Sequence, residues 1–315
     1  MYKHLMNNEK HYVTLNNYLR ERFGDKVIKI SLNAGFTCPT RDGTISRIGC
    51  AFCSRLLSGD FAGKVEDDLA TQFRKGVEQQ SQKWKGATYI AYLQAGTNTY
   101  GPIERLREVY YEVIGLDENI KVLSIGTRPD CINEEVIELL KEVNQKCEVW
   151  VELGFQTSNE ETAAIINRRY KNHVFNQAVD MLNAAGIKVI AHMINGFPFE
   201  TAVDMFETAR YLSKLKLFGV KIHMLHLIDG TAMAHRHKKL PYDLLMLDEY
   251  AAIVAEQLRY FSTDVVIHRV TGDAPKDLLI APKWTLKKFV VLNEIDKYMR
   301  VLNIYQGDSC IKQQK

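Results

Sequence analysis

Short apolar runs alternate with longer stretches whose apolar positions recur at helical spacing. Val27–Leu32, Thr88–Leu93, Lys121–Ile125, Val149–Gly154, Lys188–Ile194 and Gly219–Leu225 are rich in Val, Ile, Leu or Tyr and too short for ordinary helices. They read as buried strands. Between them, Glu66–Gln82, Ile103–Ile114, Glu134–Asn144, Glu160–Ile166, His173–Ala185 and Ala202–Leu215 read as amphipathic helices. Repeated β-α units of this kind imply a parallel sheet with right-handed crossovers. Six units fit a partial barrel or an open doubly wound sheet, and periodicity does not separate the two. The pattern changes after residue 230: Tyr242–Phe261 predicts one long helix, Val265–Val270 a strand and Leu286–Leu302 a last helix. The expected organisation is a helical lead-in over residues 1–26, a core over 27–230 and an α+β extension over 231–315.

Composition narrows the class without naming it. The 315 residues are 46% hydrophobic and 25% charged, ordinary for a globular chain, and the formal charge of +3 does not demand a nucleic-acid partner. The clusters Arg168-Arg169-Tyr170-Lys171 and His235-Arg236-His237-Lys238-Lys239 are candidate phosphate contacts, though most such runs are solvated faces. No run of about 18 apolar residues predicts a membrane span. The polar start lacks a secretory apolar core, and the six cysteines do not form a disulfide framework. A reducing cytoplasm is the expected setting, with thiols serving metal or catalysis.

The strongest chemical signal follows the first strand. Cys38 is separated by eleven residues from Cys50, and Cys50 by two from Cys53, with Phe52 just before the third cysteine. Three thiolates fall one short of a closed four-coordinate site. Soft thiolates select iron–sulfur units, and a four-iron cluster normally takes four of them. The missing ligand therefore points to a substrate or cosubstrate binding iron directly. A zinc ribbon would need a second C-x2-C pair, whereas Cys131, Cys147 and Cys310 stand apart. Cys131 lies past the third strand, within conceivable reach as a fourth ligand, and Cys310 lies in a polar tail.

This arrangement resembles the radical S-adenosylmethionine (SAM) superfamily, whose usual motif is C-x3-C-x-aromatic-C after the first strand. The long first gap departs from that motif and resembles the YhcC/YtqA-like branch, related to the catalytic subunit of Elongator. Ser31-Leu32-Asn33-Ala34-Gly35-Phe36-Thr37-Cys38-Pro39 and Arg41-Asp42-Gly43-Thr44 match that branch. Gly126-Thr127-Arg128-Pro129-Asp130-Cys131 is similar to the Elongator-type sequence, and in the extension His268-Arg269-Val270-Thr271-Gly272-Asp273-Ala274-Pro275 fits the branch too, where Thr271–Asp273 reads equally as a turn.

The resemblance implies a partial (β/α)6 TIM-like barrel of the radical SAM type, within the α/β class. It implies a 4Fe-4S cluster on Cys38, Cys50 and Cys53, with SAM at the open iron. Gln94, Gly96, Thr97 and Asn98 after the second strand, and Thr127 after the third, are then expected SAM contacts; Gln94 and Asn98 also suit a plain turn. Gln156 and Arg168 resemble the ribose-binding Gln and carboxylate-binding Arg of the coproporphyrinogen-oxidase type, and Arg suits a carboxylate through its planar fork. Asn195 and Gly196 fall in a stretch similar to the superfamily's glycine motif near adenine. His192 stands where relatives carry an acidic ribose contact, and a buried core histidine is the other reading. His223 and His226, three apart near the sixth strand, are placed to face a substrate cavity but lack a third zinc ligand at usual spacing.

The implied chemistry is reductive cleavage of SAM to a 5′-deoxyadenosyl radical, served by a low-potential donor of flavodoxin or ferredoxin type. Elongator kinship suggests tRNA as substrate, with processing of a wobble-uridine C5 side chain as the task. A radical SAM enzyme on a small metabolite and a non-enzymatic zinc-binding RNA module are the competing readings.

Overall fold

Leu106, Val109, Tyr110 and Val113 recur at i, i+3, i+4 and i+7, as do Val136, Leu139, Leu140 and Val143, and all eight are buried. These stripes define two helices that cover a sheet, α3 (Ile103–Ile114) and α4 (Glu134–Asn144). Asn133 starts α4 by accepting the Val136 N–H at 2.9 Å, with Glu134 and Glu135 favourably placed in the first turn. The computed structural model describes residues 2–24, 26–81 and 87–310.

The remaining helices are α1 (Leu15–Phe23), α2 (Leu69–Ser81), α5 (Glu160–Ile165), α6 (Asn172–Ala184), α7 (Ala202–Ser213), α8 (Ala232–Lys239), α9 (Leu247–Leu258) and α10 (Lys288–Val301). The strands are β1 (Val27–Leu32), β2 (Thr88–Leu93), β3 (Ile120–Thr127), β4 (Glu148–Gln156), β5 (Lys188–Asn195), β6 (Gly219–Met224), β7 (Leu227–Ile228), β8 (Val266–Arg269) and β9 (Leu279–Ala281). All six expected strands and their intervening helices are present, with ends moved by a few residues. The helix expected from Glu66 starts at Leu69 because the Asp68 carboxylate accepts the Thr71 N–H at 2.6 Å; Gln82 lies outside the described residues. The long helix expected over Tyr242–Phe261 is shortened to α9, whose start is fixed by Glu249 accepting the Met246 N–H at 2.7 Å. The basic run at 235–239, read above only as a charge cluster, falls on α8.

One sheet runs β1-β2-β3-β4-β5-β6-β8, and β7 pairs antiparallel with β9. β1 to β4 pair in parallel, and β8 adds to β6 in parallel. The order never reverses, so the sheet has no switch point of the doubly wound kind. Stepping one strand over in the same direction each time is barrel connectivity.

Packing groups the chain into two units that cross the linear boundaries expected at residues 26 and 230. A cysteine unit takes residues 19–154 and 173–190; a second unit takes 1–18, 155–172 and 191–315. Within the cysteine unit, Val122, Leu123, Ile125, Val149, Trp150, Val151 and Leu153 are fully buried along β3 and β4. An ion pair there joins Lys29 of β1 to the buried Glu152 of β4 at 2.9 Å, and the same carboxylate oxygen takes the Ser124 hydroxyl at 2.7 Å. Three strands are thereby tied together by polar bonds inside an apolar layer.

The second unit closes through its chain ends. Thr14 bridges to Ile267 of β8, and the Gln306 side chain accepts from Val13 N at 2.8 Å while donating to Ser262 and Val265 carbonyls. His11 stacks on Tyr305 with ring centroids 4.0 Å apart, and Lys10 pairs with Asp296 of α10. Gln306 is almost fully buried, so these bonds are shielded from water.

Candidate active site

The cysteine loop occupies residues 38–53, directly after β1, at the end of the sheet where parallel α/β folds build their sites. It is held open by its own backbone: Arg41 N and Asp42 N donate to Cys38 O, Ile45 N to Pro39 O and Gly49 N to Thr40 O. Arg41 reaches across the loop and donates to the Cys53 and Ser54 carbonyls at 2.9 and 3.1 Å. Gly49 permits that crossing, since a Cβ there would sit 2.1 Å from Arg41 Nε, and its φ of +71° suits glycine.

Each of the three sulfurs has one polar partner. Cys38 Sγ lies 3.1 Å from Thr40 Oγ1, Cys53 Sγ 3.6 Å from Ser58 Oγ, and Arg128 Nη1 donates to Cys50 Sγ at 4.0 Å. Arg128 is itself locked by a fork onto Asp130, with bonds of 2.9 and 2.7 Å. Burial pushes the Cys50 thiol up to about 12 against the pull of Arg128, and burial also raises Cys53. The thiols act electrostatically on one another, Cys38 on both Cys50 and Cys53. Three neighbouring, uncrosslinked sulfur donors, Cys38 buried and Cys50 and Cys53 half-buried, suit an iron–sulfur cluster. Among the described residues no three His, Cys, Asp or Glu side chains close on a single metal ion.

The segment after β2 is stitched to this loop. Thr97 N donates to Thr37 O at 2.9 Å, Gly96 N to Leu57 O at 3.2 Å and Gln94 Nε2 to Ser58 O at 2.8 Å. Gly96, at φ +80°, cannot carry a side chain: a Cβ would lie 2.1 Å from the Phe36 carbonyl oxygen. Thr127, after β3, shares a 2.6 Å bond with Thr99, which also donates to Cys131 O at 2.8 Å. The structure thus brings Cys38, Cys50, Cys53, Gln94, Gly96, Thr97 and Thr127 into one bonded neighbourhood. Asn98 is there too but turned inward. It is fully buried and gives its amide N–H groups to the Leu93 and Gly126 carbonyls, so it clamps the ends of β2 and β3 together. A cavity of about 900 Å³ adjoins the loop, with Phe36, Tyr100, Arg105 and Cys131 in its walls. Cys131 acts electrostatically with Cys38, and burial pushes its thiol up to about 12.

The other expected residues belong to the second unit. Gln156 ends β4 at φ +72°, a costly conformation for a residue with a side chain, and such strain concentrates at functional positions. Arg168 is 1% exposed and spends its guanidinium internally, on the carbonyls of Phe155 (2.9 Å), Thr157 (2.7 Å) and Tyr170 (3.1 Å) and on Asn172 Oδ1 (2.8 Å). Its Nη2 also pairs with Glu160 at 3.5 Å, so the fork is occupied by its own chain rather than offered to a carboxylate or to the phosphate contact considered for residues 168–171. Asn195 is likewise buried, in a two-way amide pair with Gln257 of α9 at 2.8 and 2.9 Å. Gly196 turns the chain at φ +92°. His192 lies against His223, ring centroids 5.3 Å apart.

Glu200, just beyond this turn, accepts a hydrogen bond from Thr157, and burial pushes its carboxyl up to about 7. The folded state then keeps a proton that the unfolded chain, with its carboxyl near 4.5, gives up. The stabilisation is present at low pH and lost as pH rises from about 4.5 to about 7. Thermal unfolding midpoints should fall across that window, and Glu200→Gln should flatten the fall; an unchanged slope would rule Glu200 out as its source.

Residues that the motif reading did not single out are Thr40, Ser58 and Arg128. Arg128 was visible inside Gly126–Cys131, but nothing in a linear sequence aims it at Cys50. Comparison with known proteins agrees with the fold. The sequence profile of the radical SAM superfamily matches residues 43–212, and that of the Radical_SAM C-terminal domain matches residues 218–301. The uncharacterized protein YtqA of Bacillus subtilis is 45% identical over 301 residues, covering 96% of this chain and 93% of that protein. A tRNA-2-methylthio-N(6)-dimethylallyladenosine synthase of Fusobacterium nucleatum is 24% identical over 193 residues, 59% of this chain and 44% of that protein. Among solved structures, Elp3 of Methanocaldococcus infernus superposes with a TM-score of 0.66 at 18% identity, covering 90% of this chain and 64% of that one, which speaks to the fold. The chain belongs to the radical SAM superfamily, in its YhcC/YtqA-like branch. It is a radical SAM enzyme, and a 4Fe-4S cluster and SAM are its cofactors.

Proposed function

We propose that Cys38, Cys50 and Cys53 hold the cluster and that the enzyme acts on tRNA, processing a C5 side chain of the wobble uridine. When bound, the cluster and SAM supply an electron and a primary carbon radical for hydrogen abstraction. The protein's share is to position cofactor and substrate and to keep water and stray hydrogen donors away. Gln94, Gly96, Thr97 and Thr127 adjoin the thiol loop and are the proposed SAM contacts; Gln156, His192 and Gly196 keep the role that the family resemblance implies. The observation that carries the catalytic reading is the loop itself: three neighbouring sulfurs, each with a polar partner, in a loop bonded to the segment after β2.

For the substrate, the tRNA-modifying relative and the likeness of residues 126–131 to Elongator-type sequence support RNA. Helix α8 adds an exposed basic turn, with His235, Arg236, Lys238 and Lys239 facing water. Such contacts supply affinity without sequence preference. An apolar rim beside the thiols, with Ile48 69%, Leu56 57% and Phe61 53% exposed, suits a low-potential flavodoxin- or ferredoxin-type donor. Among the described residues no helix is long and apolar enough to cross a membrane, and we place the reaction in the cytoplasm.

Modified nucleosides of tRNA from cells with and without the gene should differ at the wobble uridine. Filter binding of tRNA should weaken with salt, the logarithmic slope changing by about 0.7 to 0.9 for each phosphate neutralised. Identical nucleosides together with salt-independent or absent binding would replace tRNA by a small-molecule substrate.

A further inference from the structure

Within the second unit, β5, β6 and β8 carry basic groups to one place. His192 and His223 approach with ring centroids 5.3 Å apart. Lys221 of β6 and Arg269 of β8 are partners in the strand register, so two cations stand side by side where like charges are ordinarily disfavoured. His223 is held neutral first by burial and then by His192, Arg269, Lys221 and His226, all basic neighbours. Its ring makes no hydrogen bond among the described residues. His226, just after β6, buries its Nε2 with no hydrogen-bond partner. Its ring rests on Gly272, where a Cβ would come within 2.5 Å of the ring carbon, so the backbone of Thr271–Asp273 forms a fitted wall. The acid at this corner, Asp273, is shared between Arg269 and Lys288.

Each neutral imidazole has one N–H to give, and a guanidinium and an ammonium stand beside them. An oxyanion accepts from several such donors at once. We infer that this corner seats an anionic group of the substrate, a phosphate or a carboxylate, through His223, His226 and Arg269 with Lys221 alongside. The inference deepens the proposed function and rests on its reading of the chain as an enzyme with a bound substrate; it does not require that substrate to be tRNA.

The test uses the intact protein with histidines labelled at Cε1, titrated with inorganic phosphate and separately with acetate at constant ionic strength. Saturable shifts of two or more histidine resonances are expected, with affinity reduced about tenfold or more in Arg269→Gln and in His223→Gln. Matching thermal midpoints verify that the variants fold; should Arg269→Gln fail to fold, Lys221→Met takes its place. Tighter binding of phosphate assigns a phosphate group, tighter binding of acetate a carboxylate, and either supports the site. No saturable shift in the wild type, or equal affinity in the variants, overturns it. Nucleoside comparison is blind to this binding: unchanged tRNA with phosphate shifts intact removes the tRNA reading and leaves the anion site standing.

Discussion

Changing any one of Cys38, Cys50 or Cys53 to Ala is expected to leave a folded protein that holds no intact four-iron cluster and cleaves no SAM. A cluster of this kind normally takes four thiolates, and under the proposed assignment three supply every protein bond to it. Two remaining sulfurs cannot fix the geometry. Folding is spared because the loop is braced by backbone bonds to Pro39, Thr40 and Thr37 carbonyls and by Arg41, none of which uses a sulfur. Iron content and the visible spectrum after anaerobic reconstitution, then SAM cleavage under reductant, provide the measurement. Cys131→Ala is the informative control. That thiol lies in electrostatic contact with Cys38 but past β3, and its loss should leave iron content unchanged. Cleavage retained in any of the three loop variants would overturn the ligand assignment, and loss of iron in Cys131→Ala would promote it to a fourth ligand.

Arg168→Ala should cost the fold about 3–5 kcal/mol, the range for removing one member of a buried charged network. Three carbonyls and the Asn172 amide oxygen lose their donor together, and the aromatic faces of Phe155 and Tyr170 lose the cation that lies 5.4 and 4.7 Å from their centroids. Against a total stability of about 5–15 kcal/mol such a loss is large. Urea unfolding gives the number, provided the slope with denaturant is unchanged. Arg168→Lys should recover little, because three donors on a point charge cannot span four acceptors arranged around a planar fork. A variant with native stability and weakened SAM binding would instead return Arg168 to the cofactor-carboxylate role that its spacing from Gln156 suggests.

These two cases mark how far the sequence could be read. Strands and helices were legible where period and composition agreed, as in α3 and α4, whose four-residue stripes leave one orientation. The antiparallel pair of β7 and β9 was not, since two or three residues carry no period. The thiol loop was legible because cysteines at that spacing have few other uses. Asn98, Arg168 and Asn195 were read as ligands because amide and guanidinium groups bind cofactors and backbone equally well. Only the direction of the side chain separates the two uses, and in all three it points into the protein. Arg128 shows the reverse: a residue inside a recognised motif whose partner, Cys50, lies 78 positions away.

The bond between Val13 and Gln306 has a consequence for how the molecule comes into being. On the ribosome the first strand-like residues emerge long before their partners. Roughly 290 residues must follow before Gln306 can bind Val13, which at about 5–20 residues per second is a wait of roughly 15–60 s. The cysteine unit, whose last segment ends at residue 190, can form during that interval. The second unit cannot, because its bridge from Thr14 waits for β8 and its buried amide waits for residue 306. A nascent chain stalled before residue 306 therefore carries all of the cysteine unit's residues and an incomplete second unit.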